Sequence, residues 1–243
     1  LKIIKLNATH STNSYMKELL RENLLSDFTV VLAEQQTSGR GQMGASWFSK
    51  PGQSLTFSVF KDFKGLAAEY HFVISMAVST AIYDALKDLN IPNLSVKWPN
   101  DIMSAKKKIG GILIENVLKG SNVQHSVIGI GLNVNIISFV DLPQASSMKL
   151  ESEREFILDE VLHKVLNSLT KSLENLSVAD FAEKKKLFED RLFRKNAISV
   201  FEDQKGFRFN GIIKGVSNLG ELIVETENEK IKKYQLKEVK LIF

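Results

Sequence analysis

The chain has no cysteine. That single absence removes disulfides, a thiolate zinc site, a thioester on the protein and a cysteine nucleophile. Histidine is scarce as well. His10, His71, His125 and His163 are scattered, form no H-E-x-x-H pattern and have no ligand-like spacing, which argues against a transition-metal site. Long apolar runs are missing too. Even residues 72–89 are interrupted by Ser75, Ser79, Asp84, Lys87 and Asp88, whereas spanning a bilayer takes roughly 18 or more apolar residues. The residues before Thr9 hold no signal-peptide core, so a cytoplasmic protein with no membrane attachment is expected. Neither sign of charge dominates: 32 Lys and Arg against 28 Asp and Glu leave a net +4. Lys184, Lys185 and Lys186 sit in a helical pattern and Lys232 and Lys233 in a strand pattern, so no single basic face for nucleic acid can be drawn.

What is present belongs to a folded protein. At 243 residues, with 44% hydrophobic and 25% charged residues, the chain can bury one large core, or one large and one small. Residues 1–6 read as a strand. A helix follows, with Tyr15, Met16, Leu19, Leu20 and Leu24 on one face and Ser11, Thr12 and Asn13 as capping side chains at its start. Strands are expected at 28–33, 54–60, 95–98, 109–118 and 126–135, the last two joined as a hairpin around Lys119, Gly120, Ser121 and Asn122. The longest helical pattern, 66–89, is apolar around most of its circumference, as suits a helix laid on a sheet. Residues 139–153 read as loop, and 155–173 and 179–193 as helices. From Asn196 the pattern changes to short alternating strands between Gly, Asn and Asp turns, an all-β module at 196–243 after an α/β unit at 1–195.

Three junctions between polar or Gly-rich clusters and apolar strands carry the chemistry. In SGRGQMGAS, residues 38–46, closely spaced backbone N–H groups can bend around an anion and Arg40 adds a permanent positive charge; a solvated surface loop is the plain alternative. The string is not GxxxxGK[ST], so it is no P-loop. Trp47 and Phe48 follow as either a lid or core anchors. In KWPND, Lys97, Trp98, Pro99, Asn100 and Asp101 make a rigid strand-end turn, which either is structural only or positions ligand groups, with Asp101 accepting from amides or placing a cation. Lys106, Lys107 and Lys108 precede Ile109, Gly110 and Gly111. Such a run is usually a solvated turn; the alternative is that Lys108, next to the buried strand, reaches inward to meet a phosphoryl or carboxyl oxygen. Ser11, Thr12 and Asn13 can cap a helix or hydrogen-bond a small polar ring, and one of Gln35 and Gln36 should face the shared cleft.

Taken in order, STN at 11–13, EQQTSGRGQMGASW at 34–47, KWPND at 97–101, KKIGGILIE at 107–115 and GIGLNVN at 129–135 resemble the spaced motifs of bacterial biotin–protein ligases. The resemblance covers nearly the whole chain. It implies a mixed-sheet α/β (α+β) catalytic domain followed by a small SH3-like β-barrel domain. It also implies two steps: biotin and ATP, with Mg²⁺, give biotinyl-5′-AMP, and a lysine of a biotin carboxyl carrier protein, such as that of acetyl-CoA carboxylase, then takes the biotinyl group. On this resemblance Ser11, Thr12, Asn13, Gln36, Gly39, Arg40, Gly41, Lys108, Gly110 and Gly111 contact biotin. Arg40, Trp47, Lys108 and Asn133 contact ATP or the adenylate, and Lys108 and Arg40 are the catalytic pair. Many relatives carry GRGRxGRxW, whereas this chain has Gln42 and Ala45 in place of two arginines, leaving Arg40 as the only cation of the loop. The resemblance implies the ligase-only form, with no helix-turn-helix ahead of residue 1 and no specific DNA binding. Lipoate–protein ligases and octanoyl transferases share the fold and are the nearest alternative; a nucleic-acid-binding module is the alternative of another class.

Overall fold

A computed structural model describes residues 1–22 and 25–243, and these described residues form two sheets and five α-helices. The larger sheet holds β1 (Lys2–Thr9), β2 (Thr29–Gln36), β3 (Ser54–Ala67), β4 (Leu94–Lys97), β5 (Asp101–Ser104), β6 (Lys107–Lys119) and β7 (Asn122–Asn133). Their spatial order is β1-β2-β3-β7-β6-β5-β4. Only β1 and β2 run parallel; every other pairing is antiparallel, which makes this a mixed α/β fold.

Both faces of this sheet are covered, and the period-2 alternation of strand side chains sorts the sequence between them. Val30, Phe57, Val59 and Ile128 enter the main core with α2 (Phe72–Asp88), α4 (Leu158–Leu173) and α5 (Phe181–Asp190). Their neighbours Val31, Phe60 and Val127 turn to the opposite face and pack with Met16 of α1 (Thr12–Glu22). Helix α2 is buried nearly all round because α4 and α5 cover the side facing away from the sheet, which explains its lack of a polar stripe. Tyr15, Leu19 and Leu20 pack as expected of the α1 stripe, while Leu24 lies outside the described residues.

Several boundaries differ from those expected. The helix anticipated at 66–89 begins only at Phe72, because β3 continues to Ala67 and pairs Leu66 with Val123 and Ala67 with Asn122. Backbone pairing to a long neighbour overrides the local helical pattern there. The four-residue β5 was not anticipated, and its pairing with β4 turns KWPND into a hairpin with a cis Trp98–Pro99 bond. A short helix, α3 (Met148–Ser152), interrupts the expected loop and is capped by the Ser147 hydroxyl accepting from the Leu150 amide. The β6–β7 hairpin forms as anticipated, with Lys119 opposite Asn122.

The second sheet comprises β8 (Ile198–Asp203), β9 (Arg208–Val216), β10 (Leu222–Thr226), β11 (Ile231–Tyr234) and β12 (Val239–Ile242), in the antiparallel order β11-β10-β9-β8-β12. Phe201, Ile213, Val216, Leu222 and Val224 of this sheet join the main core. Trp98 fixes the junction by donating from its indole Nε1 to the Gly220 carbonyl at 2.8 Å. Gly220 is left-handed (φ +87°), and an added Cβ would lie 2.4 Å from the Phe72 ring, so this turn sits flush against α2. The small sheet is thereby seated where its β11–β12 segment can reach the α1 face of the large one.

Candidate active site

A cleft of about 250 Å³ opens on the α1 face of the large sheet. Its floor follows from register. Gly129 and Gly131 of β7 lie opposite Ser58 and Thr56 of β3, and opposite Leu113 and Gly111 of β6. In G-I-G-L the glycines therefore face the cleft while Ile130 and Leu132 belong to the core. The space that side chains would occupy is filled from above. An ideal Cβ on Gly131 would fall 2.2 Å from Cε2 of Trp47, and one on Gly111 would fall 3.1 Å from its Cζ3. The indole thus lies in a slot formed by glycines on two adjacent strands.

At one end of the cleft, helix α1 presents Thr12 and Asn13 toward the sheet instead of using them as caps. Gln36 Oε1 accepts from the Thr12 amide at 2.8 Å and from its hydroxyl at 3.2 Å. The Ser58 hydroxyl lies 2.7 Å from Thr12 Oγ1 and donates to Asn13 Oδ1 at 2.6 Å. Asn13 Nδ2 donates to the Leu113 carbonyl at 3.2 Å and to Glu115 at 2.8 Å. Ser11, Thr12, Asn13 and Ser58 are all buried, so this end offers a dry, pre-ordered set of short polar groups. A small uncharged polar ring suits it.

The other end is charged. Lys108 Nζ lies 2.6 Å from Asp101 Oδ1 and 5.6 Å from the centre of the Trp47 ring. Its backbone is tied on both sides, donating to the Gln144 carbonyl and accepting from the Ser146 amide, so the strand end cannot swing. Lys97 stands behind, 3.8 Å from Asp101 Oδ2. Burial lowers the Lys97 pKa; Asp101 opposes that shift, and the charges of Lys108 and Lys240 add to it. Arg40 in the glycine-rich loop reaches Glu115 at 3.0 Å, and Lys17 holds the other carboxylate oxygen at 2.6 Å. Burial would raise the Glu115 pKa, but hydrogen bonds from Lys17 and Asn13 and the charges of Lys17 and Arg40 outweigh it and hold the carboxyl below its usual range. The loop itself is folded, with the Trp47 amide donating to the Gly39 carbonyl and the Gly41 amide to the Ala45 carbonyl.

Most of the anticipated residues meet in one place. Ser11, Thr12, Asn13, Gln36, Arg40, Gly41, Trp47, Pro99, Asn100, Asp101, Lys108 and Gly111 line the cleft. Others do not. Gly110 faces the core, where a Cβ would fall 2.6 Å from Leu132, because adjacent strand residues point to opposite faces. Gly39 lies behind Trp47, against its carbonyl. Lys97 and Trp98 border a second cavity, between the two sheets. Asn133 borders a third with Phe48, Phe139 and Leu142, while its amide donates to the Ser146 carbonyl; Trp47 and Lys108 form the wall shared with the main cleft. Ser58, which bonds Thr12 and Asn13, was not anticipated, and neither were three further contributors. Glu115 stands at the end of the KKIGGILIE motif, and only the strand register shows that it faces the loop. Leu236 and Lys237 come from the distant end of the chain, with Lys237 Nζ donating to the Met43 carbonyl at 2.9 Å, and no local pattern marks them. Among the described residues no group of three or more His, Cys, Asp or Glu is placed to hold a metal ion, and no helix is long and apolar enough to cross a membrane.

Comparison with known proteins gives a consistent result. The model of the biotin/lipoate A/B protein ligase family matches residues 6–133. A bifunctional ligase/repressor from Salmonella typhimurium is 27% identical over 227 residues, which are 89% of this chain and 67% of that protein. A biotin–[acetyl-CoA-carboxylase] ligase from Paracoccus denitrificans is 35% identical over 128 residues, 52% of each. The crystal structure of the biotin protein ligase from Aquifex aeolicus in complex with biotin and ATP superposes with a TM-score of 0.79 at 26% identity, covering 99% of this chain and 98% of that one. With the family match spanning more than half of its length, this chain belongs to the biotin/lipoate A/B protein ligase family.

Proposed function

We propose that this protein is an ATP-dependent biotin–protein ligase, joining biotin to AMP and passing the biotinyl group to a lysine of a biotin carboxyl carrier protein or domain. The observation that carries the reading is the polarity of the cleft: a dry hydrogen-bonding end formed by Thr12, Asn13 and Gln36, and a cationic end at Lys108 beneath Trp47. A ligand with an uncharged polar ring and a carboxylate tail fits that arrangement, and the Aquifex enzyme binds biotin and ATP within the same fold.

In the first step the biotin carboxylate attacks the α-phosphorus of ATP and pyrophosphate leaves. Two anions must meet, so Lys108 is assigned to offset the repulsion and the charge that grows on the phosphoryl oxygens. Arg40, held at the loop base by Glu115, adds charge from above. Mg²⁺ is assigned to ATP as the substrate's own counter-ion. Asp101 is spoken for by Lys108 and Lys97, and positions these lysines in this scheme. In the second step the carrier lysine attacks the mixed anhydride and AMP departs. A free lysine has a pKa of about 10.4, so its amine must lose a proton before attack. Closure of the 39–46 loop excludes water from the anhydride until then. Residues 1–195 would carry this chemistry. Residues 196–243, taken as an SH3-like module, would close the cleft through Leu236 and Lys237. The reaction is assigned to the cytoplasm.

The test is direct. The purified protein is given Mg²⁺, ATP and either biotin or lipoate, and pyrophosphate release and mass gain on a biotin carrier and a lipoyl carrier are followed. Biotin-dependent pyrophosphate with labelling of the biotin carrier is expected; lipoate-dependent turnover alone would reassign the chain within its family.

A further inference from the structure

Asn13 connects the polar end of the cleft to the loop above it, and Glu115 completes the connection. From Gln36 the hydrogen bonds run through Thr12, Ser58 and Asn13 to the Glu115 carboxylate, and from there to the Arg40 guanidinium. The path crosses three strands and one helix and ends on the only cation of the glycine-rich loop. Gly129 makes it possible, since any Cβ there would lie 2.4 Å from Asn13 Oδ1. Glu115 is well suited to the junction. Its side chain is 22% exposed, one oxygen takes Asn13 and Arg40, and the other takes Lys17. A carboxylate with these three donors cannot let go of Arg40 without losing a charge-assisted bond.

We infer that Glu115 is a positioning residue that couples occupancy of the polar end of the cleft to closure of the 39–46 loop, acting through Asn13 on one side and Arg40 on the other. A ligand packed on the pre-ordered Asn13 keeps water from its bond to the Glu115 carboxylate, which strengthens the hold on Arg40 and so keeps Trp47 seated over Gly111 and Gly131. Two ligands that each favour the closed state then favour each other's binding. The consequence concerns retention of the acyl adenylate more than its formation. Once the anhydride exists, the lifetime of the closed loop sets how often water or bulk solvent reaches it.

This inference rests on the ligase reading above, and the experiment separates the two. Wild type and Glu115→Gln are mixed with biotin, ATP and Mg²⁺ in the absence of carrier, and pyrophosphate is followed in time. A retained intermediate gives a fast burst near one equivalent per site and then a slow phase set by its escape or hydrolysis. Glu115→Gln keeps the size and one acceptor oxygen but removes the negative charge that makes the bond to Arg40 an ion pair. It is expected to quicken the slow phase about tenfold, with faster hydrogen exchange at the loop amides, and to slow the burst only as far as a less firmly held Arg40 weakens the adenylation step. Lys17→Met, which removes the cation from the other oxygen, is expected to leave the slow phase within about twofold, showing that the Arg40 side of the carboxylate matters. No biotin-dependent pyrophosphate at all in the wild type would sink the ligase reading itself, whereas linear release without a burst would overturn the retention on which the role of Glu115 depends. A wild-type burst with an unchanged slow phase in Glu115→Gln, or equal quickening in Lys17→Met, would overturn the role assigned to Glu115 alone.

Discussion

Replacing Gly131 by alanine tests the slot in which Trp47 lies. Gly131 is in the middle of β7, paired with Thr56 on one side and Gly111 on the other, and its backbone conformation is open to any residue. The added methyl carbon would fall 2.2 Å from Trp47 Cε2, 2.5 Å from Cζ2 and 2.6 Å from Nε1, whereas ordinary contact begins near 3.4 Å. The ring must therefore retreat by about 1.2 Å or lift out altogether. The strand is locked on both edges and the loop carrying Trp47 is largely exposed, so the loop gives way first. Overpacking a rigid core costs about 1–3 kcal/mol, but a yielding loop should hold the stability loss below about 1 kcal/mol. Catalysis has no such escape. Misplacing a reacting group by about 1 Å costs on the order of a hundredfold, and Lys108 lies against the same ring. Pyrophosphate release at varied biotin and ATP, alongside urea unfolding, should show kcat/KM down by about 100-fold with stability nearly unchanged. Unaltered kinetics would refute the slot, and a loss of several kcal/mol would show that the sheet yields instead of the loop.

Gly129→Ala places its methyl group on Asn13, so KM for biotin should rise about tenfold or more and KM for ATP should rise with it by a smaller factor through Asn13, Glu115 and Arg40; breaking that buried network should also cost about 1–3 kcal/mol in unfolding. Lys108→Ala should slow pyrophosphate release by roughly 10²–10³ and change stability by no more than about 1 kcal/mol, since its partner Asp101 keeps Lys97 nearby. For pH, the folded Glu115 carboxyl titrates below its unfolded value, so its stabilisation is complete above the ordinary carboxylate pKa and is lost as pH falls through the folded one. Urea midpoints followed from neutral into acid should fall less steeply for Glu115→Gln than for wild type, and parallel curves would contradict the assignment.

The ordered motifs were legible because each chemical demand sits in a few consecutive residues. A glycine-rich loop with one arginine, a lysine before a buried strand and a proline-stiffened turn are local facts, and the structure brings Arg40, Lys108, Pro99 and Asp101 around one cleft. The alternating strands of 198–242 and the β6–β7 hairpin were legible for the same reason, since both depend on neighbours in sequence. Tertiary structure decided the rest. Gly110 and Gly111 are indistinguishable as letters, and only the register of β6 turns one to the core and the other to Trp47. The extension of β3 to Ala67 depends on a partner strand more than fifty residues away, and the hydrogen bonds of that pairing outweigh a helical pattern. Glu115 meets Arg40 across 75 positions and Lys237 meets Met43 across 194. The sequence by itself determined which groups are available and which way each short element runs, because propensity and periodicity act over a few residues. Which groups touch was settled only when the sheet assembled, because strand register and the docking of the second sheet minimise free energy over the whole chain.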